Sequence, residues 1–104
     1  MAIESQEGPR HAAHLEPELK EQALARLKRI EGQIRGLQKM VEDERYCGDV
    51  LVQVASVHEA LRGVGKLLMR NHLRHCAKNA IEHGGEEAEA MYSELVELMY
   101  KHAR

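Results

Sequence analysis

Tryptophan and phenylalanine are missing from this chain of 104 residues, and tyrosine occurs only three times. Its apolar mass is therefore aliphatic, built from Leu, Val, Ile, Ala and Met, with no aromatic platform on which unpaired bases would stack. Proline is confined to Pro9 and Pro17, so nothing beyond Pro17 carries a helix breaker of that kind. No apolar run reaches the roughly 20 residues of a membrane-spanning helix. The opening stretch MAIESQEGPRHAAHLEPE has no signal-peptide apolar core, so a cytoplasmic location is expected. Cysteine occurs twice, and in that compartment two cysteines read as ligands or redox-active thiols rather than as a structural staple. Net charge is −2, which argues against indiscriminate nucleic-acid binding. No oxyanion loop or substrate pocket is recognisable, so an enzyme is not expected.

What remains is rich in Glu, Lys, Arg, Ala and Leu, the composition of an all-helical protein. Residues 1–16 read as a flexible polar arm containing His11 and His14, and residues 17–104 as a single helical domain. Glu16-Pro17-Glu18 resembles a helix start. The apolar positions Leu27, Ile30, Ile34, Leu37 and Val41 then step three, four, three, four to about Asp43. Gly32 and Gly36 share one face of this first helix, where another backbone can approach. Residues 42–45 are a polar connection. The second helix starts near Cys47 with Val50, Val54, Val57, Leu61, Val64 and Leu68 as its seam. Gly84-Gly85 suits a helix end and turn. A shorter third helix runs from about Glu86 to Lys101. Two short helices cannot cover the long one, which predicts a partner chain.

Both cysteines fall on that long helix, and they carry the chemistry. His72 and Cys76 are four residues apart and project from one face, able to chelate one ion. Cys47 is the obvious third donor. In a continuous helix, however, it lies roughly 43 Å from Cys76 at 1.5 Å per residue. Neither a disulfide nor a shared ion spans that gap within one chain. Two copies packed antiparallel bring Cys47 of one to His72 and Cys76 of the other. Two thiolates and an imidazole suit Cu(I), Zn(II) with a fourth ligand, or Ni(II) with another nitrogen donor. His75, adjacent to Cys76, points away from that face. The alternative is that both cysteines are small core residues and His72 an ordinary helix histidine. A thiol switch, with a Cys47–Cys76 disulfide between subunits, is a further one.

Cations are segregated. Arg26, Lys28, Arg29, Arg35 and Lys39 crowd the first helix, and Arg62, Lys66, Arg70 and Arg74 recur every four residues on the second. Acids gather at residues 42–44 and in the third helix. Such segregation fits phosphate contact over a limited patch, with duplex DNA favoured over single strands. A solvated face is the plainer reading. No helix-turn-helix is evident.

The run RLKRIEGQIRGLQKMVEDERYCGDVLVQVASVHEALRGV, followed by NHLRHC, resembles the copper-sensing repressors of the CsoR/RcnR family over about residues 20–100. The resemblance implies an antiparallel four-helix-bundle dimer, paired into a homotetramer. It implies a trigonal Cu(I) site of Cys47 from one chain with His72 and Cys76 from the other. It also implies that metal-free protein binds double-stranded operator DNA upstream of copper-export genes and leaves it when Cu(I) binds. Carried over residue by residue, the DNA contacts fall on Arg26, Arg29, Arg35 and Arg62. The outer partners of the ligand histidine fall on Tyr46 and Glu94, although the loop around Gly84-Gly85 is about two residues longer than the family pattern. A nickel-sensing member of the family, with His14 as an added donor, and a copper-buffering bundle that never touches DNA are the alternatives.

Overall fold

The computed structural model describes residues 15–103; the expected arm at 1–16, with His11 and His14, lies almost wholly outside the described residues. Among the described residues every regular element is helical. Helix α1 spans Pro17–Glu42 and α2 spans Cys47–Asn71. A π-helical turn, His72–Ala77, follows, then α3 at Lys78–His83 and α4 at Gly85–Ala103. The all-α expectation of a short, a long and a shorter helix therefore holds, because α2, the π turn and α3 form one rod. His72, Ala77 and Lys78 all keep right-handed helical dihedrals across the junctions.

Pro17 occupies the first turn of α1, where its missing N–H costs nothing. Asp43 closes the helix with its backbone N–H on the Lys39 carbonyl at 2.9 Å, and Glu44 takes a left-handed φ of 54° to reverse the chain. The second reversal uses Gly84 and Gly85, at φ 76° and 59°, positions that a side chain would strain. The start of α1 lies against the end of α2, the Glu16 backbone N–H donating to Asn71 Oδ1 at 3.4 Å. The two helices thus form an antiparallel hairpin. Glu94 of α4 stands 3.7 Å from His72, so α4 folds back along the rod.

The core of that hairpin is thin. Ile30, Val57 and Val64 form it, with Leu37 and Ala60 packed alongside. Burying such side chains contributes about 1.5–3 kcal/mol each, too little to offset the ordering of a chain this long. The radius of gyration is 17.4 Å, against about 13 Å for a compact domain of 100 residues. Leu24, Leu27, Ile34, Val41, Leu51, Leu61, Leu68, Val96 and Met99 all remain exposed.

The first-helix seam is consequently two seams. Leu19, Ala23, Ile30 and Leu37 face α2, whereas Leu24, Leu27, Ile34 and Val41 form a second stripe turned away from it. Leu61 of α2 joins Leu24, Leu27 and Ile34 in one apolar groove. A Cβ added at Gly36 would meet nothing within 4 Å, so that face of α1 is also open.

Candidate metal site and basic groove

His72 and Cys76 both lie in the π turn, which gathers them at one level of the rod. A π turn replaces i→i+4 hydrogen bonds with i→i+5 bonds, and here the Lys78 N–H reaches the Leu73 carbonyl. Such turns are rare and recur at functional sites, where they re-aim side chains. The expected i,i+4 pair is thus presented by a wider turn than an α-helix provides.

The pair sits under α4. His72 Nε2 is 3.7 Å from Glu94 Oε2, beyond hydrogen-bond reach, and is buried without a hydrogen-bond partner. An imidazole nitrogen in that position is satisfied when it carries the ring proton and closes on the carboxylate, which is the tautomer imposed by a cation on Nδ1. Burial first, and the Glu94 carboxylate second, push the Cys76 thiol above its ordinary value. A bound cation outweighs both effects, because the thiolate then faces a positive charge. A buried imidazole nitrogen without a partner, in one turn with a half-buried thiol, fits a soft metal ion. The Glu94 effect is testable in metal-free protein with Cys47 replaced by Ser. Glu94→Gln shifts the pH profile of Cys76 alkylation to lower pH, and an unchanged profile shows that the carboxylate does not reach the thiol.

One chain does not complete the site. Among the described residues no three His, Cys, Asp or Glu side chains are grouped to hold an ion. Cys47 is exposed at the first residue of α2, the opposite end of the rod from Cys76. Tyr46 is the residue before α2 and is also exposed, its ring packed so closely over Gly48 that a Cβ there would stand 2.7 Å from it. Neither Cys47 nor Tyr46 is brought to His72 within the chain. His75 is directed elsewhere, its Nε2 2.9 Å from Glu16 Oε2.

Three of the four arginines expected to touch phosphate meet along the α1–α2 groove. Arg26, Arg62, Lys66 and Arg70 line one stretch with Glu59, and Arg26 and Arg29 line the next. Gly63 makes room for the crossing: a Cβ there would stand 3.0 Å from the Arg26 guanidinium. Glu59 is 3.8 Å from Arg62, partly neutralising it. Arg35 does not line either stretch. Arg74 continues the stripe beside Lys66, Arg70 and Lys78 and also pairs with Glu16 at 3.5 Å.

Sequence reasoning missed Asn71, a polar side chain only 2% exposed at the foot of the π turn. It also missed the role of Glu16 beyond that of a helix start. The His75 hydrogen bond, supported by the Arg74 charge, holds the Glu16 carboxyl below its ordinary value despite the opposing desolvation. A carboxyl so depressed holds its partners at neutral pH and releases them as pH falls through its own folded value.

Residues 19–101 match the family model described as metal-sensitive transcriptional repressor. The copper-sensing transcriptional repressor CsoR of Bacillus subtilis is 46% identical over 89 residues, 85% of each chain. The crystal structure of the copper-sensing repressor CsoR with Cu(I) from Geobacillus thermodenitrificans superposes with a TM-score of 0.76 at 44% identity, covering 90% of this chain and 98% of that one. The nickel-responsive transcriptional regulator InrS superposes with a TM-score of 0.64 at 34% identity, covering 97% and 99%.

Proposed function

The chain belongs to the metal-sensitive transcriptional repressor family, and we propose that it is a Cu(I)-responsive repressor that holds operator DNA when metal-free and releases it when Cu(I) binds. The observation that carries this reading is the placing of His72 and Cys76 in one π turn with Cys47 at the far end of the same rod. Two hairpins packed antiparallel through the open apolar stripes form a four-helix bundle that unites the three donors. Two such dimers form the homotetramer. Residues 17–104 then act as one metal-sensing and DNA-binding domain, with 1–16 as an arm.

Cys47 of one subunit and His72 with Cys76 of the other would hold the ion, and two thiolates with one imidazole supply a soft, low-coordinate environment. With Nδ1 turned to the ion, His72 would carry its proton on Nε2 and could close on Glu94, tying the ligand to α4; Tyr46 would enter from the Cys47 side. Arg26, Arg29, Arg35 and Arg62 contact phosphates, and Lys66 and Arg70 extend the same groove. Because the two ligands compete for different states of one protein, DNA must weaken Cu(I) binding by the factor by which Cu(I) weakens DNA binding. No helix among the described residues is long and apolar enough to cross a membrane, in keeping with a cytoplasmic regulator of copper-export genes.

The test uses a duplex selected from random sequence by the metal-free protein, titrated anaerobically with Cu(I). Release at one Cu(I) per chain is expected, and Arg26→Ala lowers operator affinity at least about tenfold while leaving Cu(I) affinity intact, the scale of one lost phosphate or base contact. Retention of the duplex at saturating Cu(I) would overturn the reading. The 34% identity to a nickel-responsive regulator makes Ni(II) the comparison ion. A nickel sensor releases the duplex with Ni(II) at lower free concentration, and His14→Ala abolishes that response. A copper buffer selects no duplex at all.

A further inference from the structure

Between the two expected ligands of the π turn stand two residues that the metal chemistry does not use, Arg74 and His75. Both reach across the molecule to the same carboxylate. His75 Nε2 is 2.9 Å and Arg74 Nη1 3.5 Å from Glu16 Oε2, some 58 residues earlier in the chain. The backbone of Glu16 makes the third tie, its N–H donating to the buried Asn71 immediately before the turn. Glu16 itself is the cap of α1, and the first turns of that helix are anchored by the buried Leu19 and Ala23. Arg26 follows one turn later, in the basic groove.

These contacts make a connection with defined ends, the His75 hydrogen bond being the shortest of the three ties. At one end, the π turn is an irregular stretch whose hydrogen-bond register differs from the helices on either side. Drawing His72 and Cys76 onto a single ion fixes the rotation of that turn, and with it the directions of Arg74 and His75. At the other end, Glu16 is part of the backbone that starts α1, so a change in Arg74 and His75 is delivered to a helix axis rather than to a loose side chain. We propose that Glu16 is the positioning residue that transmits the state of the His72/Cys76 turn to α1, holding the cations of that helix in register for DNA only in one state of the turn. The inference rests on the repressor reading above and adds the physical route between its two sites.

The variants are Glu16→Gln, which keeps the backbone tie to Asn71, Glu16→Ala, His75→Ala, and the double variant Glu16→Gln/His75→Ala. Three quantities are measured on the full chain: Cu(I) affinity without DNA, affinity of metal-free protein for the selected duplex, and that affinity at saturating Cu(I). The wild-type ratio of the last two is expected in the range of about 5–150. In Glu16→Gln and His75→Ala, Cu(I) affinity without DNA stays within about threefold of wild type, while the metal-free protein loses duplex affinity and the ratio falls to within about threefold of unity. The double variant falls no further, because both changes cut one connection. A merely structural cap lowers the melting temperature and leaves the ratio at its wild-type value, and that result overturns the proposal.

Amide exchange supplies a readout without DNA. Cu(I) changes protection at residues 16–23 in wild type, and Glu16→Gln abolishes that change while retaining the change at residues 72–77. Propagation to 16–23 undiminished in Glu16→Gln overturns the proposal. Should wild type bind no duplex, the repressor reading fails on its own, and the exchange experiment still decides whether Glu16 carries the signal.

Discussion

Chains carrying Cys47→Ala and chains carrying Cys76→Ala, each a poor Cu(I) ligand by itself, are expected to recover tight sites when unfolded together and refolded. The expectation follows from the length of the rod. Cys47 opens α2 and Cys76 lies in the π turn, with roughly 43 Å of helix between them at 1.5 Å per residue. In a homodimer of either variant, every site lacks one thiolate. Removing even an outer partner of a metal ligand costs 10–100-fold in affinity, so losing a ligand costs at least about 100-fold. In a mixed dimer, one site combines the intact Cys47 of one subunit with the intact His72 and Cys76 of the other. Its second site lacks both thiols. Random pairing through an isologous interface yields about a quarter of the wild-type number of tight sites. Competition against a chelator of known Cu(I) affinity counts them. If Cys47→Ala alone binds as wild type does, Cys47 is not a ligand. If the mixture recovers nothing, the donors are not shared between chains.

How far this arrangement was legible in the sequence differs from residue to residue. The helices and their reversals follow from Pro17 at a helix start, from Gly84-Gly85 at a turn, and from apolar steps of three and four. The His72–Cys76 pair is legible because four-residue spacing puts two side chains on one face in α and π geometry alike. That same tolerance hid the π turn, since the apolar pattern around HLRHCA does not distinguish the two registers. The first-helix seam reads as one stripe because Leu27, Ile34 and Val41 alternate with Ile30 and Leu37. Only the packing shows that the former face outward. Glu94 emerges from the resemblance despite the longer loop, and the fold sets it 3.7 Å from His72. Asn71 was invisible, because a single Asn before a ligand pair looks like a surface residue until its neighbours bury it.

The connection through Glu16 was hidden for a different reason. Sequence separations of 55–59 residues leave no local trace, and an acid next to Pro17 is fully explained as helix-start chemistry. Its proposed second function becomes visible only when the antiparallel hairpin sets the cap of α1 beside the π turn. Local preference and tertiary role therefore select the same residue, so neither could be inferred from the other.

The stripe turned away from α2 leads to the other large effect: Ile34→Asp is expected to prevent assembly and with it Cu(I) binding, although every ligand is left in place. Ile34 is 44% exposed in one chain and shares a groove with Leu24, Leu27 and Leu61. A solvated surface would accept a carboxylate there within about 0.5 kcal/mol. An interface would not, because an uncompensated buried charge costs about 3–5 kcal/mol, and the isologous symmetry of a dimer repeats it. At about 4–8 °C per kcal/mol for a domain of this size, the melting temperature falls by at least about 12 °C. Wild-type melting is expected to be concentration-dependent, since in the proposed dimer the partner would complete the thin core of Ile30, Val57 and Val64. Val57→Ala provides the contrast: it weakens the hairpin core in every assembly state, so it lowers the melting temperature without converting the protein to monomer. Sedimentation at a fixed concentration separates the two variants. An Ile34→Asp protein of wild-type mass and melting temperature would show that this stripe is ordinary surface, and the antiparallel pairing would then have to run through another face of the rod.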